Sequence, residues 1–498
     1  MVLFRLSQRI ASSAQIVGSV LAVAGLAACA PNLGPMAQMK PASDYAASRA
    51  LPAPAAVAWP TLEWWTAYKD PQLNALIEEA LKDSPDLKAA EARVRQARAR
   101  TEQAGAALLP SASARGAVDA TAVSLKLKGI PSTVDNYLPS DWQPITQLST
   151  SLNYQLDFFG KNRAALAAAA SQTRAAQFEL AAARLEISTG VAAAYAELAR
   201  LTADRAAAVE AVRVRGDSLT LVADRVLNGL ENKGQQAQSS AERAISEGDV
   251  AALDQRIDQA RHQLAALVGK GPDRGLDITV SADTVAEPFA LPSNLAADLI
   301  GRRPDVAAAR LRVSAAADRI KVAHADFYPN ISLTGSFLDL ALTPDQLAHH
   351  NVLLAQFGPA ISLPIFKGGQ LEGAYRGARG EYDEAVANYD RTVVQALREV
   401  ADAVSNQKSL AVQLDYARKA SIDSERAYSL ATLRYKGGLS PYLVVLAAEG
   451  ALVSQHRAVA DLQVQTLAAN IALVRALGGG FIDNSSNTSS TSKGSSHG

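Results

Sequence analysis

The sequence predicts an α+β membrane protein in which a few short strands pool with those of other copies into a barrel, very long helices continue from them, and the layout occurs twice. Three observations predict this. The same landmarks recur in the same order in two halves of the 498-residue chain. Each half holds a proline-free stretch of roughly 67 residues with a helical seam. Four segments alternate apolar and polar residues, the pattern of a strand with one greasy and one wet face.

The repeat is read first, because it organises the rest. Ser84-Pro85-Asp86-Leu87-Lys88-Ala89-Ala90 is matched 219 residues later by Arg303-Pro304-Asp305-Val306-Ala307-Ala308-Ala309, and the same offset joins Val94 to Val313 and Pro110 to Pro329. Leu156-Asp157-Phe158-Phe159-Gly160 corresponds to Leu363-Pro364-Ile365-Phe366-Lys367. Arg225, Gly229-Leu230 and Ala241-Glu242 correspond to Arg434, Gly438-Leu439 and Ala448-Glu449.

Each unit opens with a helix that starts near Pro85 or Pro304, where proline is tolerated in the first turn, and runs to about Ala107 or Phe327. Strands follow at Ser111 to Ala122, weakly patterned, and Leu148 to Phe158 in the first unit, and at Ile331 to Phe337 and Phe357 to Phe366 in the second. Turn-rich loops, roughly 123–144 and 341–354, separate them. The long helices run from Lys161 to about Leu227 and from Gly369 to about Tyr435, about 100 Å each at 1.5 Å per residue. Ala374, Ala378, Tyr382, Ala385, Tyr389, Val393, Ala396, Val400 and Val404 recur at spacings of three and four, a coiled-coil seam. Leu180, Ala183, Ile187, Val191, Ala194, Leu198 and Leu201 repeat it. The chain turns at Gly229 and at Gly437-Gly438, and return helices reach about Leu267 and Leu477.

Lone strand pairs cannot sit in lipid, because their edges carry unpaired backbone groups. Four strands per chain are too few to close a barrel, so several chains must pool them. Leu148, Leu152, Tyr154, Leu156 and Phe158 are then expected to face lipid, and Ser149, Ser151, Asn153, Gln155 and Asp157 the lumen.

Composition excludes other classes. The 49 Lys+Arg balance 49 Asp+Glu, which leaves no basic surface for nucleic acid. A single Cys forbids an internal disulfide or a Cys-rich metal site. A mean hydropathy of +0.00 excludes a bundle of transmembrane helices. That Cys sits at the N-terminus. Arg5 and Arg9 precede an apolar run from Ile16 to Ala28, too short to span a bilayer, and the run ends in Leu26-Ala27-Ala28-Cys29. This resembles a lipobox, with residues 1–28 the signal peptide and Cys29 the site of lipid attachment, a covalent lipid being the only added group expected. Ala30 rather than Asp favours the outer membrane by the same resemblance. Residues 29–59, rich in Ala, Pro and Ser, read as an acylated tether. The two repeats occupy 60–270 and 271–480, and the Ser/Asn/Thr-rich 481–498 reads as a disordered tail.

Several stretches lie in the order of a known family: Tyr154-Gln155-Leu156-Asp157-Phe158-Phe159-Gly160-Lys161-Asn162-Arg163, Arg302-Arg303-Pro304-Asp305-Val306, Ala325-Asp326-Phe327-Tyr328-Pro329-Asn330-Ile331-Ser332-Leu333, Leu363-Pro364-Ile365-Phe366-Lys367-Gly368-Gly369, Arg434-Tyr435-Lys436-Gly437-Gly438-Leu439-Ser440-Pro441-Tyr442 and Ala476-Leu477-Gly478-Gly479-Gly480. On these the chain resembles the TolC-like outer-membrane efflux proteins, in particular their OprM/NodT lipoprotein branch, the outer-membrane subunits of RND efflux pumps. The resemblance implies a homotrimer with a 12-stranded outer-membrane β-barrel continued by a periplasmic α-helical barrel. It implies a passive exit duct for drugs or other small molecules, with a periplasmic adaptor and an inner-membrane RND-type transporter as partners. The channel of a type I protein secretion system would look alike, and a non-pore structural periplasmic lipoprotein would have no use for the alternating strands.

Enzyme signatures are missing from the sequence. The six His are scattered and no H-E-x-x-H or G-x-S-x-G occurs, so neither catalytic nor metal-ligating residues are assigned. His349-His350 near Asp345 falls in a loop and reads as a solvated pair. Gly269-Lys270-Gly271-Pro272 lacks phosphate-loop spacing and reads as a helix C-cap and turn. Gly478-Gly479-Gly480 reads as a terminator. Three Met, none in the expected tube, disfavour a methionine route for soft metals. A closed resting channel needs a gate where the long helices end. In OprM-like proteins a Leu, an Asp four residues on and an Arg three further stand there; the corresponding residues are Leu443, Ala447 and Gly450, so only the Leu is kept. Rings of Leu443, with Glu449 nearby and Glu231 as an alternative, are the gate candidates.

Overall fold

The structure, a computed structural model, describes residues 30–41, 44–45, 59–121, 142–280, 301–341 and 352–483. The signal segment, Cys29, much of the tether, most of both strand-connecting loops with His349 and His350, and nearly all of the tail lie outside the described residues; the loop bounds are corrected where 143–144, 341 and 352–354 prove to be strand, since the alternation of each strand runs further toward the loop than the turn residues suggest.

A 3₁₀ turn, Trp64–Tyr68, leads into α1 (Pro71–Asp83) and α2 (Pro85–Ala106). Strands β1 (Ser111–Thr121) and β2 (Gln143–Leu156) follow, then α3 (Lys161–Leu227), α4 (Lys233–Leu267) and the single turn α5 (Asp273–Leu276). The second half runs α6 (Pro304–Ala325), β3 (Asn330–Ala341), β4 (Val352–Ser362), α7 (Gln370–Lys436) and α8 (Tyr442–Ala476). Corresponding helices have equal lengths: 22 residues in α2 and α6, 67 in α3 and α7, 35 in α4 and α8. No helix among the described residues is long and apolar enough to cross a membrane.

The chain divides into two units. One contains Arg95–Arg174 and Leu311–Ala387 and holds the sheet; the other contains Ala175–Arg310 and Asn388–Gly498 with the segment from Met39 to Val94. The sheet is antiparallel in the order β1-β2-β3-β4, so β1 and β4 each carry a free edge among the described residues. Two strands end earlier than their alternation predicts. β2 stops at Leu156 because the Asp157 carboxylate turns to accept the Asn162 and Arg163 backbone N–H groups, at 3.1 and 2.9 Å, and so caps α3. β4 stops at Ser362, before Pro364, which has no N–H to give to a ladder.

The core of the second unit lies where α1 meets the middle of α3 and the last turns of α4 and α8. Trp64, Leu76, Ile77, Val191, Tyr195, Leu198, Leu264, Val268, Ile278, Leu467 and Val474 are buried together there. Helix α1 escapes the sequence reading, although Asp70 caps it, accepting the Gln72 and Leu73 N–H groups, and Pro71 opens it. The other oxygen of Asp70 accepts the Tyr195 hydroxyl at 2.7 Å, which ties α1 to α3. Gly269 ends α4 as expected, with φ +75° and the Lys270 N–H reaching the Ala265 carbonyl at 2.9 Å.

The glycines after α8 do more than terminate it. Gly478, Gly479 and Gly480 all have positive φ. A Cβ on Gly478 would collide with the Arg302 carbonyl, one on Gly479 with the Leu185 side chain, and one on Gly480 with the Thr61 backbone. The three glycines therefore let four segments of the second unit meet.

Candidate functional site

The first candidate region is the sheet. In an antiparallel pair, directly opposed residues share a face. The register opposes Ser113, Ser151, Ser336 and Gln356 in one row, and Ser111, Asn153, Thr334 and Gly358 in another. Gln155 opposes Ser332, which opposes Ala360. Ser149, Ser151, Asn153 and Gln155 thus lie on one polar face, with Ser113 and Ser151 hydroxyls 2.8 Å apart. The other face carries Ala112, Leu152, Gly335 and Phe357 in one row, and Leu156, Ile331 and Ile361 in another. Phe357 covers Gly335, whose absent Cβ would stand 3.3 Å from the ring and 3.5 Å from Leu152. Leu148, Leu152, Phe357 and Ile361 are exposed. Asp157 and Phe158, placed by the sequence on the two faces of the strand, lie past its end; Asp157 works as the helix cap described above.

The second region is the end of the long helices remote from the strands. Both turns are built alike. Gly229 and Gly438 have φ of +70° and +72°, and Leu230 and Leu439 donate their N–H to the Arg225 and Arg434 carbonyls at 2.8 and 2.9 Å, closing the same C-cap motif. Arg225 then joins the two turns. Its guanidinium donates to the Tyr435 carbonyl at 3.1 Å and lies 4.5 Å over the Tyr435 ring. The Tyr435 hydroxyl donates to Glu231 at 3.1 Å; burial and this carboxylate push the phenol up to about 12. Val222, Ala431, Tyr435, Tyr442 and Val445 pack beneath, and the Tyr442 hydroxyl bonds to Ser239 at 3.2 Å.

Of the three gate candidates, only Leu443 stays open, at 69% exposed. Glu449 is 1% exposed. It accepts the Ser218 hydroxyl at 2.5 Å and stands 3.6 Å from Arg215, which also faces Glu242 at 3.4 Å. Burial raises its carboxyl above the usual range. The expected ring of Glu449 carboxylates is therefore corrected: the residue points at α3 of its own chain, because six residues past Leu443 is about 120° around the helix. Glu231 is likewise engaged, by Tyr435 and Arg225. The sequence had offered Arg225 and Tyr435 as repeat and family landmarks only, with no sign that they meet.

The family described as "Outer membrane efflux protein" matches residues 76–270 and 295–479, once in each half. The chain belongs to this family. It is 35% identical over 370 residues to the fusaric acid resistance protein FusA of Burkholderia cepacia, covering 71% of this chain and 67% of that protein. It is 30% identical over 426 residues to the pyoverdine export outer membrane protein OpmQ of Pseudomonas putida, covering 86% and 90%. Among solved structures, the outer membrane protein VceC of Vibrio cholerae superposes with a TM-score of 0.77 at 40% identity, covering 85% of this chain and all of that one. The family is one of outer membrane efflux channels, not enzymes, and its members have the mainly helical architecture with a four-stranded antiparallel sheet seen here.

Proposed function

We propose that three copies of this chain close a 12-stranded barrel in the outer membrane, continued by a periplasmic helical barrel, and that the assembly is the passive exit duct of a tripartite efflux system. The observation that carries this reading is a sheet that, among the described residues, has four strands, one polar face, one apolar face and two free edges. Closure is the only arrangement of such a sheet that leaves no unpaired edge in lipid, and three copies give an even strand number suited to it. A periplasmic adaptor and an inner-membrane RND-type transporter supply the cargo and the energy, and small molecules are the cargo class. Placing a lysine at Leu152 is expected to cost about 2–4 kcal/mol near mid-membrane, while Ser151→Lys, on the water side, is tolerated. Assembly assays on the two variants check this, and equal damage from both would reject the facing.

Lipid attachment at Cys29 fits the course of the tether. Arg379 donates to the Pro35 carbonyl, and the Tyr382 hydroxyl to the Ala37 carbonyl at 3.0 Å, so this segment runs parallel to α7 with its N-terminal side toward the sheet. From Arg379 back to Gln370 is about 14 Å of helix, while the six residues from Cys29 to Pro35 reach about 20 Å. That length is enough for a lipid on Cys29 to lie level with the start of α7, next to the sheet. Intact mass of the mature protein is expected to show a chain beginning at acylated Cys29; a free thiol there contradicts it.

The gate is assigned to three Leu443 side chains, which remain exposed while Glu449 and Glu231 are held within their own chain. Leu443→Gly is expected to raise single-channel conductance and sensitivity to a bulky antibiotic. Unchanged values in both would move the constriction to another residue of the tips.

A further inference from the structure

The polar face of the sheet is not uniform. Toward the Ser111 and Leu156 ends its described side chains are small or uncharged: Ser113, Ser151, Asn153, Ser332, Thr334 and Gln356. Toward the Thr121 and Gln143 end it changes. The row Arg115–Ser149–Leu338–Leu354 places a guanidinium and two leucines on this same face, and Leu340 follows in the next row. Leucines on a face otherwise built for water need a reason, and the neighbouring charge supplies one. Arg115 is exposed, and among the described residues its guanidinium has no hydrogen-bond or ion-pair partner. The other charged residue on the face, Asp119, accepts from Gln147 at 3.3 Å and lies four residues further along β1, about 13 Å away and beyond the screening length of about 8 Å in physiological salt.

We propose that this row, repeated around the closed barrel, is a cargo-binding collar for amphipathic organic anions: a carboxylate carried on an apolar body. The proposal rests on the channel reading above and names the cargo chemistry of its outer lumen. A guanidinium is weakly hydrated and presents a planar fork that matches a carboxylate, so an exposed one with no carboxylate beside it among the described residues is poised for that ligand. Leu338 stands two strands from Arg115, about 9.6 Å at the usual strand spacing. That distance suits a carboxylate at Arg115 with an apolar body lying across Ser149 onto Leu338 and Leu354. Small acids lack the apolar body, and cationic amphiphiles meet a repelling charge. The row crosses the sheet near its middle, four residues from the start of β1 and seven from the end of β2, with Asp119 and Gln147 beyond it.

The test is single-channel recording of the intact trimer in planar bilayers, with 4-butylbenzoate added on the strand side. The wild-type channel is expected to show reversible block by 4-butylbenzoate, and none by acetate or 4-butylbenzylammonium at the same concentration. Arg115→Gln is expected to weaken the block about tenfold, the loss of one charge-assisted pair, and Leu338→Ser to weaken it by a smaller factor, while both variants keep the open-channel current. Block that is unchanged in Arg115→Gln, or equal block by the cationic analogue, overturns the collar and leaves the channel intact. A wild-type protein that gives no current overturns the channel reading, and the collar with it.

Discussion

Arg303→Met is expected to cost about 1–3 kcal/mol and to reduce the yield of folded protein, because it removes a buried guanidinium held by two half-exposed carboxylates and leaves the Ala476 carbonyl without its donor. Arg303 is only 7% exposed. Its Nε and Nη2 donate to the two oxygens of Asp305 at 3.1 and 2.7 Å, and its Nη1 donates to Glu399 at 2.8 Å and to the Ala476 carbonyl at 3.0 Å. One side chain thus holds the start of α6, the middle of α7 and the last turn of α8. Lysine is a poor substitute, since a single ammonium cannot present the planar fork that serves Asp305 and the second direction that serves Glu399. Guanidinium unfolding followed by helical circular dichroism measures the loss. Arg303→Met with a wild-type midpoint would show that the node adds nothing to the fold.

Gly480→Ala is the second large effect. The residue has φ +82°, where an alanine is strained by about 1–3 kcal/mol, and the added methyl would enter the Thr61 backbone, which has no rotamer through which to yield. The chain after Gly480 would be pushed out of place. Asp483, buried and paired with Arg310, and Phe481, edge-on to Phe178 at 5.3 Å, would lose their seats. Outer-membrane yield and the fraction of heat-resistant assembly are expected to fall well below those of Gly271→Ala, where a Cβ meets nothing within 4 Å. Equal yields would mean that the packing around the glycines relaxes freely.

Much of this was legible in the sequence because it is periodic. The ends of α3 at Leu227 and α4 at Leu267 agree with the expectation, and α7 begins one residue after Gly369, since uninterrupted seams, proline starts and glycine stops are local signals. The sharing of one face by Ser149, Ser151, Asn153 and Gln155 follows from a period of two. What failed depends on partners far away in the chain. Alternation runs on through Asp157 and Ile365, and only the need to cap α3, or the missing N–H of Pro364, ends the strands sooner. The sequence offers Glu449 as a gate residue beside Leu443, and nothing along α8 says that Ser218 and Arg215, more than two hundred residues earlier, meet it inside its own chain. The glycines at 478–480 look like an ending, and only the fold shows four segments meeting at them.

The central claim, three chains around one water-filled pore, is tested most directly by conductance through Ser151→Cys in a bilayer before and after a charged, bulky thiol reagent. The account predicts that the current of a single channel falls in three similar steps, one per copy, and that Leu152→Cys, on the lipid face of the same strand, shows no step. Loss of current from Leu152→Cys and none from Ser151→Cys, or a number of steps other than three, would contradict it.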